Sequence, residues 1–317
     1  MRVRPFGNTG LQVSELGFGC ARIGGIFKND PSAFVDLLAA AYDRGIAFFD
    51  TADIYSQGES EKLLGKAFRR RRDRVIIASK VGYSLPAQRQ FVARIKPLVR
   101  PLIRLLRIKR ENLPSAVRGE LAQNFTSAYI ERALEASLRR LRTDYLDVLQ
   151  LHSPPAEVVA RGEWVDALER LKRAGKVRCY GISCDTLEAA HAALQFPGVS
   201  SLQLVVNLLE QRFAGEIVPR ARDQRVAVIA RECLANGLLV KDEREIELKN
   251  FCSSAEQQQQ RALELAGYRK TAAERKMPLA RLALEYVTGT EGVSVALVGA
   301  SRLEQLTATL RDCEGGP

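Results

Sequence analysis

No two of the six cysteines (Cys20, Cys179, Cys184, Cys233, Cys252, Cys313) stand in a CxxC spacing, which argues against a zinc site and suits a reducing cytosol. Nothing approaches the roughly 18 consecutive apolar residues of a membrane-spanning helix. The opening MRVRPFGNTG has no apolar core of a secretion signal. Long low-complexity tracts are missing, and with 46% hydrophobic residues the chain can build a core, so disorder is excluded. No linker is visible, and histidine is scarce, with only His152 and His191. The expectation is one cytoplasmic domain spanning residues 1–317.

What is present in excess is positive charge, a net +11. Taken alone it suggests nucleic acid, an anionic membrane surface or an anionic ligand.

Along the chain, Val3–Phe6 and Leu11–Ser14 flank the turn-rich Gly7-Asn8-Thr9-Gly10, which predicts an N-terminal β-hairpin. Eight short apolar segments follow: Leu16–Gly19, Ile46–Asp50, Val75–Lys80, Leu146–His152, Val177–Ser183, Leu202–Val206, Val226–Arg231 and Val293–Val298. Their near-continuous hydrophobicity fits parallel strands buried on both faces. Helical periods lie between them, as in Phe34, Leu37, Leu38 and Tyr42, or Ile130, Leu134, Leu138 and Leu141. Eight βα alternations predict an α/β fold, a closed (β/α)8 TIM barrel. An open doubly wound sheet is the competing reading, but no GxGxxG marks a first strand–helix turn. Two stretches, 84–125 and 232–257, are too long for ordinary connections. Both would lie at the C-terminal face, where barrels build their sites.

The strand ends carry the chemistry. Asp50, Lys80 and His152 each close an apolar strand, and Tyr55 follows Asp50 by five residues. A charge there is costly unless paired or functional. Together they form a proton-transfer set in which a lysine favours a tyrosine phenolate, an aspartate holds the lysine, and a histidine hydrogen-bonds a substrate oxygen. Singly, each has a plainer reading: a helix cap, a packed ring, a structural histidine, a solvated lysine. Three consecutive strands ending in Asp, Lys and His set the conjunction apart from packing.

The stretches FDTADIYSQGESEKLLGKAF, SKVG, TDYLDVLQLHSP and VGASRLEQL resemble the aldo-keto reductase superfamily, and the likeness runs over essentially the whole chain. The resemblance implies a barrel enzyme that passes hydride between a nicotinamide cofactor, NADP(H) rather than NAD(H), and a carbonyl or alcohol carbon. It implies Tyr55 as general acid, Lys80 as the residue lowering its pKa, Asp50 as the carboxylate holding Lys80, and His152 as the group orienting the carbonyl. Ser183 and Gln203 match residues that bind the nicotinamide carboxamide, although Cys184 replaces the usual asparagine. Arg231 stands where an aromatic ring often stacks on the nicotinamide; a guanidinium can also stack, or pair with a phosphate or a substrate acid group. Gly299, Ser301 and Arg302, between the last strand and a helix, match the adenosine-phosphate site, where N–H groups and the helix dipole favour an anion. Gln305 matches a family glutamine, and Thr309 replaces a frequent asparagine. Gly237 and Leu239 lie in a stretch that resembles the family segment folding over the pyrophosphate. A non-catalytic, NADP(H)-binding regulatory or redox-sensing module is the alternative. No metal is expected, and the partner is a small carbonyl or alcohol molecule.

Residues 84–110 hold eight basic residues and no acid, so everything else carries only +3. On a helical wheel Phe91, Val92, Ile95, Leu98, Val99, Leu102, Leu105 and Leu106 share one face, and Arg89, Lys96, Arg100, Arg104 and Arg107 oppose it. Three explanations compete: an amphipathic layer over the barrel mouth, a lid that attracts an anionic substrate, or a membrane-surface or partner-binding helix. Nucleic-acid binding is not expected, since stacking aromatics are sparse there. The run Arg69–Arg72 reads as solvated, and His191, far from the strand ends, as structural.

Overall fold

The hairpin and all eight apolar segments form as their patterns require. The computed structural model describes residues 1–23, 31–84, 122–242 and 245–314. Strands β1 (Val3–Pro5) and β2 (Gln12–Ser14) pair antiparallel. The barrel strands are β3 (Leu16–Gly19), β4 (Phe48–Asp50), β5 (Ile76–Val81), β8 (Leu146–His152), β9 (Val177–Ser183), β10 (Val199–Val205), β11 (Ala227–Arg231) and β12 (Val293–Val298). They pair in parallel in that order, and β12 returns to β3, closing the eight-stranded TIM barrel. Closure leaves no unpaired strand edge.

Alternation along each strand sends every second side chain into the lumen. Its lower layer is apolar: Phe48, Ala78, Val148, Cys179, Ala227, Ile229 and Val295 pack with Phe6, Leu11 and Val13 of the hairpin. The hairpin therefore plugs the N-terminal end, with Phe6 and Phe48 ring centroids 5.8 Å apart. Two residues further along the same strands, the lumen turns polar. Register aligns Lys80 with Gln150, and His152 and Gln203 with Ser183 on the strand between them. The outer strand faces join the helices in the large apolar core.

The long connection after β5 begins and ends in a small antiparallel ribbon, β6 (Tyr83–Ser84) with β7 (Ala122–Gln123). The Tyr129 hydroxyl donates to the Tyr83 carbonyl at 2.6 Å. The Gln123 amide donates to the Ser153 carbonyl at 2.8 Å, tying the ribbon to the β8 end. The predicted basic amphipathic segment 84–110 lies, beyond Ser84, outside the described residues.

The connection after β11 holds a helix, Ala255–Glu274, where the sequence alone offers at Gln257–Gln260 either a short polar helix start or a loop. Only Leu265 and Ala272 of it are buried, so its apolar periodicity is too weak to read. Arg72 departs from the solvated reading of its basic run. Its guanidinium pairs with buried Asp147 at 2.8 Å and lies 4.2 Å from the Tyr145 ring centroid. His191 pairs with Glu216 on the neighbouring helix at 2.5 Å, away from the strand tops. Among the described residues no helix is long and apolar enough to cross a membrane.

Candidate active site

Four of the predicted residues converge at the C-terminal end of the lumen. Lys80 is 1% exposed and donates from Nζ to both carboxylate oxygens of Asp50, at 2.7 Å each, and to the Thr51 carbonyl at 2.9 Å. The Gln203 amide nitrogen donates to Asp50 Oδ1 at 2.8 Å, so the carboxylate is held from β5 and from the far side of the barrel. Tyr55 follows on a turn, its ring centroid 5.1 Å from Lys80 Nζ and 5.8 Å from the His152 ring, edge-on. Behind Tyr55 the backbone is strained, with Ser56 and Gln57 at φ of 50° and 62° and Gly58 at 80°. A side chain on Gly58 would meet Arg140 Cδ at 2.7 Å. Glycine suits the left-handed backbone there, and any larger residue would have to displace the Arg140 side chain.

Burial controls the charges. It disfavours the Lys80 ammonium, but Asp50 and then Tyr55 more than offset it, and the lysine pKa lies above its ordinary value. Burial raises the Tyr55 phenol; Lys80 pulls it back by charge and hydrogen bonding, while Asp50 adds to the rise. His152 is pushed down to about 3 by burial, then by the charges of Lys80 and Arg231. It is a neutral ring, with one nitrogen a donor and the other an acceptor.

The second predicted group, for the cofactor, is partly joined to the first. Ser183 Oγ lies 3.5 Å from Gln203 Oε1, and Gln203 is itself bound to Asp50. Arg231, at the top of β11, is tied to acids rather than presented as a free stacking face: it pairs with Asp185 at 2.5 Å and with Glu232. Gly237, at φ 104°, ends a 3-10 turn after β11, with Leu239 buried beyond it. Gly299, Ser301, Arg302, Gln305 and Thr309 lie beyond β12, around the start of helix Leu303–Glu314. There the Ser301 N–H and hydroxyl both donate to Gln305 Oε1 at 3.0 Å. The Thr309 hydroxyl donates to the Gln305 carbonyl at 3.0 Å.

Several participants escape the sequence. Tyr83 packs edge-on against His152 at 4.9 Å, visible only once the β6–β7 ribbon folds back. Asp185 and Glu232 each follow a strand-end residue by one or two positions, and that adjacency was the available signal. Asp53 is buried with Oδ1 unpartnered, and its pKa is pushed up to about 8 by burial and then by Glu61. Glu61 is itself buried and accepts from the Ser79 hydroxyl at 2.6 Å and from Arg140 Nε at 2.5 Å. Gln150, fully buried in register with Lys80, has neither amide atom paired.

Known proteins place this geometry. The sequence pattern of the Aldo/keto reductase family matches residues 15–315. An uncharacterized oxidoreductase of Bacillus subtilis, YqkF, is 27% identical, over 98% of this chain and 90% of its own length. A D-threo-aldose 1-dehydrogenase from a Pseudomonas species is 28% identical, over 94% of this chain and 88% of its own. The holo form of the aldo-keto reductase AKR11C1 from Bacillus halodurans superposes with a TM-score of 0.76 at 29% identity, over 100% of this chain and 92% of that one. A closed parallel barrel, the polar strand tops and a family match over nearly its full length lead to one conclusion: this chain is an oxidoreductase of the aldo/keto reductase family.

Proposed function

We propose that the protein is an NADP(H)-dependent oxidoreductase that moves hydride between nicotinamide and the carbonyl or alcohol carbon of an aldehyde, ketone or sugar, within a single domain spanning 1–317. The observation that carries this reading is the buried Lys80–Asp50 pair, set against Tyr55 and facing neutral His152 across the same mouth. Nicotinamide, when bound, supplies or accepts the hydride at its C4. In reduction, Tyr55 donates its phenolic proton to the substrate oxygen, and Lys80 stabilises the phenolate left behind. Asp50 fixes Lys80 and balances its charge. His152, neutral, donates an N–H to the same oxygen, which fixes the carbonyl's direction. In oxidation the proton returns to Tyr55.

The residues on the strand tops fit a nicotinamide. His152 Nδ1 and Arg231 Nε are buried and have no protein partner, and the long Ser183–Gln203 contact leaves both side chains with capacity to spare. A planar ring bearing a carboxamide suits such unpaired groups. Ser301 and exposed Arg302, beside a helix N-terminus, support NADP(H) over NAD(H) through a 2′-phosphate. The relative named for an aldose supports including sugars in the substrate class. Buried thiols held in no disulfide, at Cys20, Cys179, Cys184 and Cys233, support a reducing, cytoplasmic setting.

Tyr55→Phe removes the proton and leaves the ring. Carbonyl reduction is expected to fall by about a thousandfold, with NADPH affinity nearly unchanged in a fluorescence titration. Substantial remaining turnover would remove Tyr55 from the role. Tight NADPH binding by the unaltered protein, with no turnover across a broad carbonyl and alcohol panel, would instead favour a regulatory module.

A further inference from the structure

Arg231 is held in a way no simple stacking residue needs. Its Nη2 donates to Asp185 Oδ1, on the loop after β9, at 2.5 Å, and its Nη1 donates to Glu232 Oε1 on its own loop. Glu232 is fixed in turn: its other carboxylate oxygen accepts from Asn236 at 2.8 Å, and its carbonyl accepts from Asn207 at 3.0 Å. Its backbone lies in the left-handed region, at φ 56°, where a side chain is tolerated at a cost. Two carboxylates thus enclose one guanidinium, bridging the loops after β9 and β11 across the end of β10.

The charge count at this end of the barrel is informative. Lys80 and Asp50 cancel each other, and His152 is neutral. Asp185, Arg231 and Glu232 together leave one surplus negative charge. Arg231 is within electrostatic reach of the chemistry, because its charge acts on both Tyr55 and His152, and the two carboxylates are bonded directly to its guanidinium. A nicotinamide held by Ser183 and Gln203, as proposed above, would lie beside the tops of β9–β11. The oxidised ring carries a positive charge that the reduced ring lacks, and the rest of the molecule is the same. Any net charge the protein fixes beside the ring therefore appears as a difference in affinity between the two forms.

We propose that Asp185, Arg231 and Glu232 set the relative affinity of the site for oxidised and reduced cofactor: the two carboxylates favour the oxidised form and Arg231 opposes them. The inference rests on the hydride-transfer reading above. It also gives Arg231 a role that an aromatic ring at that position could not fill, since the charge of the cluster, and not only its surface, meets the cofactor.

The test is a pair of binding titrations, NADP+ and NADPH, on the purified protein and on Asp185→Asn, Glu232→Gln and Arg231→Gln. Each acid-to-amide change is expected to weaken NADP+ relative to NADPH by about tenfold at low salt, and by less as salt rises, because the cluster is partly solvated. Arg231→Gln is expected to move the ratio the other way. A merely structural role would weaken both forms alike in all three variants. Ratios that stay put, or that move in one direction for both signs of charge, overturn the proposal. If the unaltered protein binds neither form, the hydride-transfer reading falls and this one with it; binding with unshifted ratios defeats this one alone. Glu232→Gln and Asp185→Asn are independent arms, so misfolding of one leaves the other decisive.

Discussion

Asp53 shows how far a residue's behaviour departs from its type. A carboxylate two residues before Tyr55 would ordinarily be ionised at neutral pH, yet burial and the neighbouring Glu61 push it up to about 8. The folded state holds a proton there that the unfolded chain releases near its ordinary value of 3.8. The stability this contributes is fully present below that value and is lost as pH rises through about 8. His152 works in the opposite sense. Kept neutral down to about 3, it contributes stability that is present above the ordinary histidine range and is lost as pH falls. Asp53→Asn removes the first titration, so its melting temperature is expected to exceed that of the unaltered protein by several degrees at pH 8.5, with the gap closing towards pH 5. Thermal melts across that range check it; a gap independent of pH would show that Asp53 is not the group responsible.

At the scale of elements, the strands that carry Lys80 and His152 are braced at their opposite ends by another buried carboxylate. Asp147, at the start of β8, is 1% exposed. It accepts the Ile77 N–H of β5 at 2.9 Å and pairs with Arg72 at 2.8 Å and Arg178 of β9 at 3.0 Å. One side chain thus ties three adjacent strands, two of which carry Lys80 and His152 at their other ends. Asp147→Ala leaves a buried N–H and two guanidinium groups without their acceptor. It is expected to cost about 3 kcal/mol in chemical denaturation; a loss below about 0.5 kcal/mol, typical of an exposed pair, would show the brace to be superficial. The local sequence conceals this. Arg72 belongs to a run of four arginines that reads as surface, and nothing short-range reveals that one of the four turns inward onto β8.

For the whole molecule, the β6–β7 ribbon brings together the two ends of the chain that flank residues 85–121. Tyr83 lies opposite Gln123 and Ser84 opposite Ala122, so a two-residue Asn-Gly link can join Ser84 to Ala122 as a hairpin. Residues 85–121 contain 9 basic and 2 acidic residues, and their excision takes the net charge from +11 to +4. The shortened chain is expected to fold and melt in a single transition, since all eight barrel strands and the hairpin plug lie outside the excised stretch. Calorimetry decides it: loss of a cooperative transition would make the stretch part of the folding unit. The same variant should elute earlier from a cation exchanger.

The eight strands were legible because buried parallel strands are short, continuously apolar and recur at regular intervals. Asp50, Lys80 and His152 were legible because each breaks that pattern at a strand's end, where a charge is expensive. Their likeness to a known family then named Tyr55 and the cofactor-facing positions. Chain order alone could not show which side chains meet. That Gln203 binds Asp50, that Tyr83 closes on His152 and that Arg231 is enclosed by two acids are consequences of barrel closure, which brings residues up to 153 positions apart into contact. The polar Ala255–Glu274 helix was missed for the complementary reason, having almost no buried face to impose a period on its sequence. Composition and periodicity determined the barrel and its chemical repertoire, because both depend on local patterns of burial. Only the tertiary structure decided the pairing of charges at the strand tops, because desolvation and Coulomb terms depend on distance through space and not along the chain.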